Sequence, residues 1–349
     1  MEPGAAELEV RLRELARRAL GARVGRVEWL PGALGQRRFA RVHLEGGPAP
    51  TLVARIEATE DPAGRPAGVA PEPALEPIRA LLEREGIPVP ARLAADEPAG
   101  IELLEDVGSV TLEDAAGAAT ADERRRLYEE ACDLVPRLQR IRDPGGVAAF
   151  SRRLDATLFA YKAELFGEEL VAPTAGPAAA RAAKDALRRV AERLRGAPER
   201  LAHRDLQSAN VHVRSERPAG RRLCWIDLQG AFLAPPEYDL VCLLRDSYVE
   251  LAWGEAEALL ERIRPQLPDA PSREECAARF DLLTLTRKGK DLARFVQVAR
   301  TRGDRRYLRF APATMRYLRD AATRSAARDP SFCELAEILR GLPEEACAR

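Results

Sequence analysis

The sequence predicts an α+β chain in two lobes, a small one built on antiparallel strands and a larger, mostly helical one. Three observations carry this expectation. Short runs of alternating polar and apolar residues precede residue 108, and apolar residues at three- and four-residue spacing dominate after it. At 349 residues with 46% hydrophobic side chains, the chain is long enough to fill two cores. We place the lobes at residues 1–108 and 109–349.

In chain order, Leu8, Leu12 and Leu15 mark one buried stripe of an opening helix over residues 5–20. Residues 38–45 alternate Phe39, Arg41 and His43 with Ala40, Val42 and Leu44. Residues 51–57 alternate likewise, and the Pro/Gly-rich turn 46–50 joins the two runs into a hairpin. An irregular stretch, 61–73, precedes a helix over 75–85 that stops at Gly86 and Pro88, and short strands follow over 92–95 and 101–105. In the second lobe, Leu127, Ala131, Leu134, Leu138 and Ile141 predict a helix over 121–141, bent at Pro136. A loose Ala/Pro/Gly patch, 171–183, is expected to separate two helical stretches. One hairpin interrupts the helical texture, with runs at 210–213 and 223–228 joined by a polar turn.

Composition excludes several classes. The 55 basic residues balance 55 acidic ones, so no whole-molecule field favours nucleic acid or an anionic membrane. The basic side is almost all Arg, with Lys only at 162, 184, 288 and 290. No apolar run approaches the roughly 20 residues that span a bilayer, and residues 1–7 lack the features of a signal peptide. We expect a cytoplasmic monomer. Six scattered cysteines and three histidines argue against a disulfide framework or a zinc centre.

The chemistry concentrates around the second hairpin. His203-Arg204-Asp205-Leu206-Gln207-Ser208-Ala209-Asn210 precedes its first strand, and Ile226-Asp227-Leu228-Gln229-Gly230 follows its second. Phosphoryl transfer needs a carboxylate to orient an attacking hydroxyl and oxygen donors to hold Mg²⁺ against phosphates. Asp205 suits the first task, and Asn210 with Asp227 the second. Because the hairpin folds back, Asp227 is expected beside Asn210.

H-R-D-x-x-x-x-N followed by I-D-L-Q-G resembles the catalytic and metal-binding loops of the kinase-like superfamily. The resemblance implies a bilobal protein-kinase-like fold, ATP and Mg²⁺ as cofactors, and Asp205 as the catalytic carboxylate. It also implies phosphate contacts in the small lobe. Gly32 and Gly35 occupy the turn where kinases lay backbone N–H groups over phosphates. Arg55, in Leu52-Val53-Ala54-Arg55, stands where a phosphate-binding Lys is expected, with Glu76 as its ion-pair partner. Backbone groups around 102–106, Glu105 included, are expected to meet the nucleotide base. Arg in place of Lys also leaves open a catalytically silent nucleotide-binding module.

Only residues 228–233 separate Asp227 from Ala234-Pro235-Pro236-Glu237, too few for the activation segment of a regulated protein kinase. Glu237-Tyr238-Asp239-Leu240-Val241 onward resembles aminoglycoside and choline kinase relatives, which implies a small-molecule substrate. Asp239 and His203 are then braces for the loops. Across nearly the whole chain the likeness extends to bacterial anomeric kinases of N-acetylmuramate and N-acetylglucosamine. It is carried by L-P-G-x-x-x-x-R-R-F, P-V-P-x-R-L-A-A-D-E, L-L-E-D-V-G, Ala163-Glu164-Leu165-Phe166 and Y-D-L-V-x-L-L-R-D-x-Y. Gln207 and the absence of an aromatic pair after Phe166 depart from that pattern. The likeness implies an amino sugar acceptor, phosphorylated at its anomeric hydroxyl, with another small-molecule acceptor of the superfamily as the alternative. Residues 281–310 carry nine basic against three acidic residues, the opposite of a site for a polycationic aminoglycoside. Arg245, Asp246, Arg287 and Lys290 are the candidate contacts to the acceptor's ring or carboxylate.

Overall fold

The computed structural model of the chain describes residues 4–31, 37–47, 49–57 and 72–342. It divides into two compact units, one drawn from residues 1–65 and 88–109, the other from 66–87 and 110–349. Residues 72–87 therefore pack with the helical unit, where a single boundary at 108 had put them with the strands. The reason is local: their helix packs beside the turn that follows Asp227, and Arg137 donates to the Gly86 carbonyl at 2.6 Å.

The first unit opens with α1 (Ala5–Leu20), whose Leu8, Leu12, Leu15 and Ala16 are buried. Gly21 ends it at φ 63°, a left-handed turn that lets its N–H return to the Ala16 and Arg17 carbonyls. The strands are β1 (Arg23–Trp29), β2 (Arg38–Glu45) and β3 (Thr51–Ile56), with two more after α2 (Ile78–Arg84) of the second unit: β4 (Arg92–Asp96) and β5 (Ile101–Glu105). They form an antiparallel sheet in the order β1-β2-β3-β5-β4. Ala40, Val42, Leu52, Ala54, Ile101 and Leu103 alternate onto one face and meet the α1 stripe. Burying each large aliphatic side chain contributes about 1.5–3 kcal/mol, so this face holds the unit together. The expected hairpin at β2 and β3 is present, whereas β1 was not anticipated: its Arg/Gly/Glu-rich segment buries only Val24.

The helical unit continues with α3 (Leu112–Ala118), α4 (Ala121–Gln139), α5 (Ala156–Phe166) and α6 (Ala172–Arg193). Thr111 with Asp114 and Thr120 with Glu123 form reciprocal caps that start α3 and α4. α4 runs through Pro136. The patch expected to be loose is instead helical: a wide turn over Gly167–Val171 leads into α6, and only Gly176, at φ 84°, breaks the helical backbone. Its alanines favour helix strongly enough to override the neighbouring Pro and Gly. Then come β6 (Arg200–Ala202), β7 (Val211–Val213), β8 (Leu223–Trp225) and β9 (Phe232–Ala234), with β7 pairing β8 as expected and β6 pairing β9. Among the described residues the unit continues with α7 (Tyr238–Leu244), α8 (Trp253–Ile263), α9 (Arg273–Arg302), α10 (Ala311–Arg328) and α11 (Cys333–Gly341). Among the described residues, no helix is long and apolar enough to cross a membrane, and no disulfide joins the cysteines.

Candidate active site

In the helical unit, strand β6 delivers the chain to His203, and the loop from there to Asn210 is held from three sides. The Asp239 carboxylate, at the start of α7, accepts the His203 N–H at 2.7 Å and the Arg204 N–H at 3.1 Å. These bonds hold Arg204 at φ 80°, a backbone conformation that a side-chain-bearing residue adopts only when its surroundings enforce it. Burial raises the Asp239 pKa, with His203 and the two N–H groups opposing it. From below, Asp246 accepts the Ser208 N–H at 2.6 Å. His203 closes the third side: Nδ1 accepts the Asp205 N–H (3.3 Å), and Nε2 lies 2.9 Å from the Ile226 carbonyl. That pattern requires the tautomer with the proton on Nε2. The bracing expected of Asp239 and His203 is thus what these side chains do.

The hairpin joins the second loop to the first. The Ile226 N–H donates to the Asn210 carbonyl at 3.0 Å, which continues the β7/β8 ladder and sets Asp227 beside Asn210. Asp227 sits at φ 62°, and Gln229 Nε2 donates to its Oδ1 at 2.5 Å. Asn210 Nδ2 donates to the Asp205 carbonyl at 2.8 Å, which leaves the amide oxygen as the atom to offer a cation. Gly230 faces Asp205: a Cβ built there would lie 3.6 Å from Asp205 Oδ2 and 3.5 Å from Arg204. The loop that carries Asp227 is thus hydrogen-bonded to the loop that carries Asp205 and Asn210. Two oxygen donors on adjacent backbone segments, one neutral and one anionic, suit Mg²⁺, which takes few protein ligands and completes its shell with phosphate and water.

Cations dominate the surroundings of Asp205. Arg287 Nη1 donates to its Oδ1 at 2.7 Å, and Arg204 Nε lies 3.7 Å from Oδ2. Burial pushes the Asp205 pKa up, but Arg287, Arg204 and Lys290 outweigh it and hold the carboxyl well below the usual carboxylate range. Asp291 serves three cations at once, Arg287 Nε at 3.2 Å, Lys288 Nζ at 3.0 Å and Lys290 Nζ at 2.7 Å. Arg204 is also paired with Glu72 at 3.3 Å, and Arg152 lies over the Gln229 carbonyl with its pKa lowered by burial and by Arg204. Lys162, buried on α5, donates to the Tyr238 hydroxyl at 3.2 Å. Burial, then repulsion from Arg287, Lys290 and Arg204, pushes its pKa down to about 7.

The remaining acceptor candidates are redistributed. Arg245 is 1% exposed and stacks on Trp253, Phe280 and Tyr317 at 4.3, 5.6 and 5.1 Å, so it anchors helices instead of meeting a ligand. Asp246 is fully buried and spent on the N–H groups of Ser208 and Tyr248. Both were expected at the acceptor because they follow the metal loop closely in sequence; the short α7 instead turns them into the core. Arg287 and Lys290 do reach the Asp205 neighbourhood, but as partners of Asp205 and Asp291. Lys162, Glu72, Arg152 and Asp291 were not anticipated. Two signals pointed to some of them: Asp291 follows Arg287 by one helical turn, and in an Arg-rich chain a lysine marks a place where a compact ammonium fits and a guanidinium does not.

In the sheet unit, Arg55 is 4% exposed on β3 and faces Glu102 directly across the ladder on β5. Its Nη1 donates to Glu102 at 2.6 Å, and Nη2 pairs with Glu57. Glu76, in the helical unit, is engaged by Arg79 and by the Ala80 N–H. Within its own unit Arg55 is thus engaged by the Glu102 that the cross-strand register places opposite it, and Glu76 by Arg79. Glu105, ending β5, accepts the Ala91 N–H at 3.2 Å, and Asp106 takes Arg41 Nε at 2.7 Å. Gly32 and Gly35 lie outside the described residues.

A sheet unit, a helical unit and a braced H-R-D/I-D loop pair define the class: the chain belongs to the phosphotransferase enzyme family, whose model matches residues 29–276. It is 31% identical over 279 residues to the N-acetylmuramate/N-acetylglucosamine kinase of Pseudomonas aeruginosa, covering 77% of this chain and 78% of that one. The protein of the same name from Pseudomonas putida is 28% identical over 75% of each chain. An ADP-bound aminoglycoside phosphotransferase shares the fold, with a TM-score of 0.54 at 13% identity and 99% of both chains covered.

Proposed function

We propose that the protein transfers the γ-phosphoryl group of ATP to the anomeric hydroxyl of an N-acetylated amino sugar, N-acetylmuramate or N-acetylglucosamine. The observation that carries this reading is the setting of Asp205, a carboxylate that Arg287, Arg204 and Lys290 hold well below the usual carboxylate range. Those cations favour phosphates and a neutral or acidic acceptor and disfavour a polycation. The names of the two curated relatives support the same acceptor class.

In the proposed reaction the acceptor oxygen bonds to the γ-phosphorus as the bond to the bridging oxygen of the leaving ADP breaks, and the hydroxyl proton passes to Asp205. An anomeric hydroxyl is more acidic than other sugar hydroxyls. A weakly basic carboxylate therefore suffices, and positioning carries most of the catalysis. Asn210 and Asp227 would hold Mg²⁺, which neutralises phosphate charge when bound. Arg55, oriented by Glu57 and Glu102, would offer its remaining donors to phosphate, with Gly32 and Gly35 supplying backbone N–H groups and the segment around Glu105 meeting the base. Lys290, whose side chain is 25% exposed, is the proposed contact for an acceptor carboxylate.

ADP release measured with Mg·ATP and either amino sugar, choline or kanamycin tests the reading. Turnover is expected with the amino sugars alone and lost in Asp227→Ala. Turnover confined to choline or kanamycin would overturn the acceptor, and full activity of Asp227→Ala would overturn the metal assignment.

A further inference from the structure

Arg287 is 3% exposed in the middle of α9, yet three of its contacts serve the catalytic loop and its support. Nη1 donates both to Asp205 Oδ1 at 2.7 Å and to the Arg204 carbonyl at 3.1 Å, and Nε donates to Asp291 at 3.2 Å. Asp291 is fixed in turn by Lys288 and Lys290. Lys288 continues to the Ser247 hydroxyl at 3.4 Å, which lies 2.8 Å from that of Thr314 on α10. A buried series of polar contacts thus runs from α10 through α9 to one oxygen of the Asp205 carboxylate.

We infer that Arg287 is a positioning residue for phosphoryl transfer, holding Asp205 by Oδ1 so that Oδ2 meets the acceptor hydroxyl. The inference rests on Asp205 being the carboxylate that orients the acceptor. A carboxylate rotates readily about its last bond, and a single hydrogen bond leaves that rotation soft. One guanidinium nitrogen shared between Oδ1 and the preceding carbonyl ties the side chain to its own loop. The clamp at Asp291 stops the guanidinium from following the carboxylate if it turns. On the opposite side, Gly230 presents no side chain to Oδ2. Lys in place of Arg287 would keep the charge but not reach Asp205, Arg204 and Asp291 in one plane.

The test is a double-mutant cycle with Arg287→Gln, Arg287→Lys and Asp205→Asn, read as kcat and as KM for Mg·ATP. Misorienting one reacting group costs about 100-fold, so Arg287→Gln is expected to lower kcat by about that factor with KM for ATP unchanged, and Arg287→Lys to restore part of it. In the Asp205→Asn background the same Arg287→Gln change should cost almost nothing, because residues acting as a unit are non-additive. Equal losses in both backgrounds, or a loss confined to KM, would overturn the inference. Melting temperatures and binding of a fluorescent ADP analogue identify any variant that fails to fold. If Arg287→Gln is such a variant, Asp291→Asn takes its place in the cycle, with the same non-additivity expected and additivity again overturning the inference. Should the wild type transfer to no amino sugar, the cycle is read on ATP hydrolysis, where water occupies the acceptor's place; the substrate reading then fails while the Arg287 test stands.

Discussion

Lys162 carries the sharpest consequence at the scale of single residues. On α5, its ammonium is buried against Tyr238 and faces Arg287, Lys290 and Arg204, so the folded chain prefers it neutral above about pH 7, while the unfolded chain keeps it protonated to its ordinary 10.5. Between those values the unfolded state binds more protons, and stability attributable to Lys162 must rise with pH. At about 1.4 kcal/mol per unit, the full span approaches ~5 kcal/mol. Lys162→Met should therefore stabilise the protein most near pH 6, with an advantage that shrinks steadily toward pH 10. Denaturant unfolding of both proteins across that range checks it, and a constant difference would mean that Lys162 is not the group so disfavoured. Asp205 shows the opposite balance, because the same cations that repel Lys162 keep a buried carboxylate charged.

At the scale of elements, two antiparallel pairings place the chemistry. The β7/β8 ladder extends through the Ile226–Asn210 hydrogen bond and so fixes the loop that holds Asp227. The β3/β5 register sets Arg55 against Glu102 and makes Arg55 part of a partly buried cluster with Glu57 and Arg92. Arg55→Ala would leave Glu102 buried with Arg92 as its remaining cation and remove the proposed phosphate donor. It should lower the melting temperature and raise KM for ATP at least tenfold, whereas Arg55→Lys, reaching one carboxylate, should fall between. If Arg55→Ala uses ATP like the wild type, the phosphate ligand lies elsewhere. The hairpins were legible in the sequence because alternation and turn residues are local signals. The Glu102 partner was not, because register between β3 and β5 depends on 44 intervening residues and on which face is buried. For the same reason Asp205, Asn210 and Asp227 could be read from their spacing, but not the burial of Arg245 and Asp246. That depends on α7 being short and buried on every side, so that the chain after it turns inward.

Over the whole molecule, equal numbers of acids and bases conceal an uneven distribution. Most arginines are matched by nearby carboxylates, as Arg279 is by Glu237 and as Arg324 and Arg328 are by Asp281. Around Asp205 the matching fails: Asp291 serves three cations, and Arg152 is left with a carbonyl. Net charge therefore says nothing about the ligand, while the local surplus points to phosphate and to an acceptor without positive charge. Membership of the phosphotransferase family fixes the class of reaction. The acceptor hydroxyl is the central claim, and the product reports it directly. After incubation with Mg·ATP and N-acetylmuramate or N-acetylglucosamine, phosphorus–proton correlation NMR should show coupling between the new phosphate and the anomeric proton, with that signal appearing far more slowly in Asp205→Asn. Phosphate coupled to a proton at any other ring position, or transfer undiminished in Asp205→Asn, would contradict the account.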